Sequence, residues 1–462
     1  MLVTSHKLKH ALELIEPAIP RGKISMPITA NFLMQGGRVS ATNLEIAISA
    51  ELTEATTGRT AICLPHALVK RFLQHVPDTE MLDITVRGYK TTIKAGRMES
   101  TVQGSNPKDF PALTEIAEEG EQSVDGDRLV RSLMSAAPAA STETARPVLQ
   151  GVCLTFGEPI KVAAGDGFRL MWEDGVGMNI TAPNEETSYV IIPKTSISAL
   201  DTLWRKAIKV PATNGNPFSQ LQQPTLDAAA FAVSKRMMKV RIDPTDNKMS
   251  LNVGEATLTT QLIAGTFPDF SSLIAEDQSH QVTFDAAEAF RAVRMLSGIA
   301  KDGSNILRVK WAEDYIEFSA KGEGAGEMSQ SMPATVRGDP SNIAFNVRYL
   351  IEYLSGKEGL ILLETSTVSS PARLTHSRSA NLQLMPMFVE WGDDPEEQAS
   401  ESEWEVEQAV DESPPVESGG EPVVDLEVER ATTDAAYEPA SDEADIPAAT
   451  RPQTRRGHKP AK

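Results

Sequence analysis

Aromatic residues make up only 5% of this 462-residue chain, and it has two cysteines and seven histidines. Two cysteines argue against a disulfide scaffold and against a Cys-rich zinc framework. Cys63 in AICLP and Cys153 in GVCLTF each sit in an apolar stretch, which predicts buried free thiols and a reducing, cytoplasmic setting. The histidines (His6, His10, His66, His75, His280, His376, His458) form no H-E-x-x-H and no Cys–His group. No apolar run reaches the ~18 residues of a membrane span. The opening stretch MLVTSHKLKHALELIEPAIP is interrupted by His6, Lys7, Lys9, His10 and Glu13, so it does not read as a secretory leader. Nucleotide-binding loops are missing too: AGDGFRL lacks both G-x-x-x-x-G-K-[ST] and G-x-G-x-x-G. A tight turn accounts for Gly165 and Gly167. Asp166 has no paired acid or activated nucleophile near it in sequence. No catalytic site, cofactor or metal is expected.

Positive charge is also scarce overall, with a formal net charge of −20. That figure is uneven along the chain. Trp391 to Thr450 hold 20 Asp or Glu against one Arg, Arg430, and the closing RPQTRRGHKPAK carries five Lys or Arg. The tail therefore contributes −14 and residues 1–390 only −6. The part patterned for folding is close to neutral, so the placement of its cations decides whether it meets nucleic acid. The tail, rich in acid, Pro, Gly, Ser and Ala, reads as disordered.

What is present is a threefold repeat. Helix, strand pair, helix, strand pair begins near Lys7, again near Asp127, and again near Ala287. A period of roughly 100 residues or more marks repeated domains rather than solenoid units. HKLKHALELIEPAI, DGDRLVRSLMSAAPAA and DAAEAFRAVRMLSGIA open the three units at helical spacing. PHALVKRFLQHV, PKTSISALDTLWRKA and NVRYLIEYLSG are the second helices. Gly36-Gly37 marks a hairpin turn between ITANFLMQ and RVSATNLEIAISAEL. KDFPAL and TFPDFSSL close the first two units in register. Residues 208–230 have no counterpart and read as an inserted surface loop. Amphipathic helices covering one face of each sheet give an α+β fold, with sheets on one side and helices on the other. Matching ends allow such an arc to close by symmetry, although a linear scaffold satisfies the same periodicity. The helices carry Lys7, Lys9, Lys70, Arg71, Arg128, Arg131, Lys194, Arg205, Lys206, Arg291, Arg294 and Arg348. If these lined one hole, they would hold a phosphate backbone without reading its sequence. Plain solvation of amphipathic helices explains them as well.

Several phrases, in order, resemble one family. MPITANFLM, ATNLEIAI, KDFPAL, AAGDGFRL, GTFPDF, FNVRYLIEYL, TVSSPARL and LMPM are similar to the bacterial DNA polymerase III beta subunit, the sliding clamp family, from Met1 to about Val389. The resemblance implies three tandem clamp domains (1–120, 121–276 with loop 208–230, and 277–390) and an acidic tail, 391–462. It implies a ring-shaped homodimer with helices lining a central hole and sheets outside. Such a ring encircles duplex DNA without sequence preference and tethers the polymerase III alpha subunit and other partners. A separate loader opens it, and it does no chemistry. Tethering makes rebinding intramolecular. The other reading is a scaffold that shares the domain but binds peptides alone.

The resemblance also implies a partner-peptide pocket. Its residues are Gly165, Gly167, Phe168, Arg169 and Leu170; Pro268, Ser272 and Leu273; Asn346 and Tyr349; Val368 and Ser370; and Leu384, Met385, Pro386 and Met387. Lys23 and Arg146 match basic residues near DNA. The chain is a divergent member by this comparison. Phe168 stands where the family often has His, Ser272 where some have Arg, and Phe388 and Val389 where Arg and Leu are common. Pro147 and Val148 replace a frequent Tyr pair. Most members also stop where the acidic tail begins here.

Overall fold

The computed structural model describes residues 1–391 except 23, 53–60, 114–115, 117–118, 176–177, 209–235, 275–277, 323–325 and 390. Lys23, most of the inserted loop and the acidic tail beyond Trp391 therefore lie outside the described residues. Met1–Glu390 forms one compact unit.

The same element order runs three times through that unit. The first run is β1 (Leu2–Thr4), α1 (Ser5–Ile15), β2 (Asn31–Gln35), β3 (Arg38–Thr42), β4 (Ile46–Glu51), β5 (Ile62–Pro65), α2 (His66–Leu73), β6 (Met81–Arg87), β7 (Lys90–Ala95) and β8 (Met98–Gln103). The second is β9 (Gln122–Asp125), α3 (Gly126–Ala136), β10 (Gly151–Thr155), β11 (Ile160–Gly165), β12 (Arg169–Gly175), β13 (Tyr189–Pro193), α4 (Lys194–Ile208), β14 (Met237–Asp243), β15 (Lys248–Val253) and β16 (Ala256–Gln261). The third is β17 (His280–Asp285), α5 (Ala286–Ala300), β18 (Ile306–Ala312), β19 (Tyr315–Gly322), β20 (Gly326–Pro333), β21 (Thr335–Arg337), β22 (Ser341–Asn346), α6 (Val347–Leu354), β23 (Leu360–Thr365), β24 (Ala372–His376) and β25 (Asn381–Leu384).

The helices form where the spacing predicts. α1 buries Leu8, Ala11, Leu12 and Ile15, one stripe of a 3.6-residue period. Asp125, Asp285 and Asn346 cap α3, α5 and α6, each side chain accepting from a backbone N–H of the first turn. The strand pairs are a correction: each is a set of three to five strands, the third run having the extra strand β21. RVSATNLEIAISAEL is two strands because Asn43 Oδ1 accepts from the N–H of Glu45 and Ile46 and folds a turn between them. Leu44 sits there at φ +80°. Short strands such as β5 and β13, which run straight into helices, left too few residues to show alternation. The Gly36-Gly37 turn is as expected. Both residues have positive φ, and Gln35 pairs with Arg38 across a two-residue hairpin.

Each run supplies two sheets, and neighbouring runs share them. β5-β2-β3-β4 continues through β4·β16 into β16-β15-β14-β9, and β13-β10-β11-β12 continues through β12·β25 into β25-β24-β23-β17-β21. At the first joint Ile48 faces Leu258 and Ala50 faces Ala256. At the second, Arg169 faces Leu384 and Met171 faces Leu382. Two four-stranded sheets remain, β1-β6-β7-β8 and β20-β19-β18-β22. The main core lies between sheets and helices. A smaller core covers the other face of the second shared sheet, where Phe267 and Phe270 pack with Leu149, Cys153, Leu170 and Trp172. Cys63 and Cys153 are both buried and free, and burial pushes both thiols up to about 11.

Candidate functional site

The second joint carries the surface that the phrases AAGDGFRL and LMPM point to. Between β11 and β12 the chain turns in four residues. Asp166 Oδ1 accepts from the N–H of Phe168 and of Arg169, each at 3.0 Å. Gly167 takes φ +96°, and a Cβ there would lie 3.4 Å from Nη1 of Arg146. The turn aims Arg169 inward. Its side chain is only 7% exposed, and its three nitrogens are all engaged. Nε donates to Asp166 Oδ2 at 3.0 Å, Nη1 to Glu352 Oε2 at 2.7 Å, and Nη2 to the Pro138 carbonyl at 2.7 Å. Its guanidinium also lies 4.2 Å from the centre of the Tyr349 ring. Arg169 therefore ties the second run to α6 of the third.

Apolar side chains surround this hub. Leu170 and Leu384 are buried on opposite faces of the joint, Leu170 in the smaller core and Leu384 in the main one, while Phe168, Leu273, Val368 and Met385 stand 47–58% exposed. Backbone bonds hold them together. Met385 N–H donates to the Phe168 carbonyl at 2.9 Å, and Met387 N–H donates to the Ala344 carbonyl at 2.8 Å. Gln383 Nε2 donates to the Leu273 carbonyl at 2.7 Å, which anchors the strap that carries Pro268, Ser272 and Leu273. Val368 and Ser370 lie in the turn before β24, whose Ala372 pairs with Leu384. Asn346 caps α6, so its carbonyl oxygen is already in use. Phe388 follows at 93% exposure. The result is a patch of exposed apolar side chains around the joint with few polar groups among them.

Sequence reasoning missed Asp166 as the turn-former and Glu352 and the Pro138 carbonyl as partners of Arg169. Asp166 lies within AAGDGFRL and Glu352 within FNVRYLIEYL, but only the fold brings the two phrases together. Arg146 lies beside Gly167 and makes a loose, exposed pair with Glu143 at 3.5 Å.

Many of the helix cations are spent on internal partners. Lys9 pairs with Asp78 at 2.6 Å, Lys70 and Lys206 both pair with Glu16, Arg205 with Asp201 at 2.8 Å, and Arg128 with Asp125 at 3.3 Å. Lys194 donates to the carbonyls of Pro138 and Ala140, and burial together with the charge of Arg169 lowers its pKa. Burial alone would raise Glu16, but the hydrogen bond from Lys70 and the charges of Lys206 and Lys70 hold it below its usual value.

Residues 271–388 match the family model for the C-terminal domain of the DNA polymerase III beta subunit. A beta sliding clamp of Chlamydia pneumoniae is 23% identical over 400 residues, covering 84% of this chain and 98% of that protein. One from Synechocystis is 24% identical over 366 residues, covering 75% and 88%. The chain thus carries a C-terminal domain of the DNA polymerase III beta subunit and is similar to beta sliding clamps over most of its length. Solved clamp structures share its fold. The beta subunit of Pseudomonas aeruginosa superposes with a TM-score of 0.70 at 20% identity, covering 84% of this chain and all of that one. That of Thermotoga maritima gives 0.69 at 20% identity, covering 84% and 99%. Two of the phrases read from the sequence, AAGDGFRL and LMPM, meet at the second joint.

Proposed function

We propose that the chain is a DNA sliding clamp: two copies close head to tail around duplex DNA and hold polymerase and other replication or repair proteins to it. The observation that carries this is the rule of the joints. At each joint the third strand of one run's first sheet pairs with the last strand of the next run. β4 meets β16 and β12 meets β25. By the same rule β20 lacks its partner and β8 lacks its own, and the two belong to opposite ends of the chain. Two copies joined β20 to β8 and β8 to β20 give both strands the kind of partner the joints have and close by two-fold symmetry. Met98 and Met328, 36% and 38% exposed on these strands, become interface residues in that assembly.

The domains in this reading are 1–120, 121–276 and 277–390, followed by the acidic tail. The slot at the second joint takes short peptides from the polymerase III alpha subunit, the loader and other partners, and the protein works in the cytoplasm as a processivity factor without a catalytic step. Lys23 and Arg146 are proposed DNA contacts, and Arg146 borders the peptide slot as well. The test is retention on nicked circular DNA after loading, followed by a single cut. Retention on the circle and loss from the linear form is the expected result. Equal loss from both forms would overturn the clamp reading and favour a peptide-binding scaffold.

A further inference from the structure

Residues 265–273 run as a strap across the face of the second shared sheet that carries the smaller core. Both ends are pinned. The Tyr189 hydroxyl donates to the Gly265 carbonyl at 3.3 Å and accepts from the Phe267 N–H at 3.2 Å, and Gln383 Nε2 donates to the Leu273 carbonyl at 2.7 Å. The underside is spent on folding: Phe267 and Phe270, edge to face with centroids 6.4 Å apart, close over Cys153, Leu170 and Trp172. Leu273, at one end, stands in the exposed apolar patch. Between the rest of the strap and the hairpin of β10 and β11 runs an open groove of about 590 Å³.

The groove adjoins the patch through the strap itself. Pro268 and Ser271 line the groove, and Ser272 and Leu273 follow directly. Its walls are Phe156 and Pro159 from the hairpin and Phe267, Pro268 and Phe270 from the strap, with Cys153 at the bottom. Polar groups inside are already engaged: the Tyr189 hydroxyl makes both of its bonds, and Thr155 Oγ1 lies 3.6 Å from Cys153 Sγ. The interior therefore suits apolar side chains, and its volume leaves room for a bulky one. Charge sits toward the mouth. Glu158 and Asp269 are exposed and Lys161 is half-buried, and among the described residues none of the three has an ion-pair partner. Two acids against one lysine leave the mouth negative, which favours a basic neighbour beside whatever enters. An apolar groove that is open along its length and continuous with an apolar patch fits a chain that passes from one to the other.

We infer that this groove takes a second anchor of a partner's peptide, a bulky apolar side chain with a basic residue beside it, from a segment that is seated on the patch and continues along the strap. The inference rests on the reading of the patch as a peptide site. It adds a rule of preference: partners that carry the extra anchor displace those that carry the core segment alone. The test uses the full chain and fluorescent synthetic peptides. One is a core with Gln and bulky hydrophobic anchors; two others extend that core, at one end or the other, by a Gly-Ser spacer and Trp-Arg. One of the extensions is expected to tighten binding by roughly tenfold. Ser271→Trp, which fills the groove from an exposed position, is expected to abolish the gain and to leave core-peptide affinity unchanged. Glu158→Gln with Asp269→Asn, which keeps the fold's apolar contacts, is expected to reduce the gain by about threefold. No gain from either extension, or a gain that survives both variants, overturns the inference while core binding still upholds the patch. A core peptide that does not bind, or that binds equally well to Leu273→Ala and Met385→Ala, overturns the patch reading and this inference with it.

Discussion

Arg169 and Glu352 lie 183 positions apart in the chain and meet at 2.7 Å between Nη1 and Oε2. The contact joins the turn that shapes the peptide slot to α6. One guanidinium thus serves the sheet side and the helix side of the same joint.

Arg169→Ala removes the donor to Asp166 Oδ2 and to Glu352, and one of the two donors to the Pro138 carbonyl. Breaking a buried, hydrogen-bonded ion pair from one side costs on the order of 3 kcal/mol. Arg169→Lys recovers little, because an ammonium cannot reproduce three fixed N–H directions and a stacked plane. Urea unfolding measures both. In a double-mutant cycle, coupling to Glu352 alone should be about 1 kcal/mol or less, since that carboxylate is 48% exposed. A loss well under 1 kcal/mol for Arg169→Ala would contradict the hub.

Leu273→Ala and Met385→Ala remove exposed rim groups and should not disturb folding. Each is expected to weaken a peptide carrying Gln and bulky hydrophobic anchors by about tenfold in fluorescence polarisation. Equal affinity in both variants would place the peptide elsewhere.

Glu16 joins Lys70 of α2 to Lys206 of α4, and the two lysines hold it below its ordinary value of 4.5. A carboxylate held down in the folded state adds stability above its unfolded pKa and loses it as pH falls through the folded value. Glu16→Gln should therefore melt lower than the unmodified chain at neutral pH, and the gap should close as pH drops below 4.5. A gap that stays constant with pH would remove the charge from the explanation.

Lys357 lies over the Tyr353 ring, donates to the Tyr353 carbonyl, and is lowered from 10.5 to about 8 by burial. Below pH 8 it is charged in both states, and the cost of burying that charge is full. Between the two values the folded state releases its proton first, and the cost is relieved as pH rises. Lys357→Met keeps the apolar stem, so it should raise the melting temperature at pH 7 and lose that advantage toward pH 10. An advantage that grows with pH would reverse the assignment.

Met328→Asp places a charge on β20 at the end edge of its sheet. The expected result is monomers by light scattering at concentrations where the unmodified chain is a dimer, with the secondary structure kept. Dimers that survive both this change and Met98→Asp on β8 would rule out the edge pairing.

The helices, the threefold recurrence and the Gly36-Gly37 hairpin could be read from the chain because each is a local signal. Periodicity shows α1 and α5, and caps at Asp125 and Asp285 mark where helices start. Strand number was less readable: Asn43 and Leu44 make a turn without glycine or proline, so two strands looked like one. The proposed peptide site was suggested only by family phrases. Its residues are a short run at the end of β25 and a turn after β11, but the partners of Arg169 depend on how distant segments meet. Nor could charge alone locate a DNA surface. Whether a cation is spent, as Lys70 is on Glu16, depends on neighbours that sequence does not bring together.

On the proposed pairing of β8 with β20, a single copy is a bifunctional monomer in the polymer chemist's sense. It presents six residues of β8 at one end and eight of β20 at the other. Dilution favours closure of two copies on each other, whereas crowding or a wrong twist at either joint favours propagation into a fibre. A fragment that keeps one end and lacks the other would act as a chain stopper: it would cap an open copy and prevent the ring from forming.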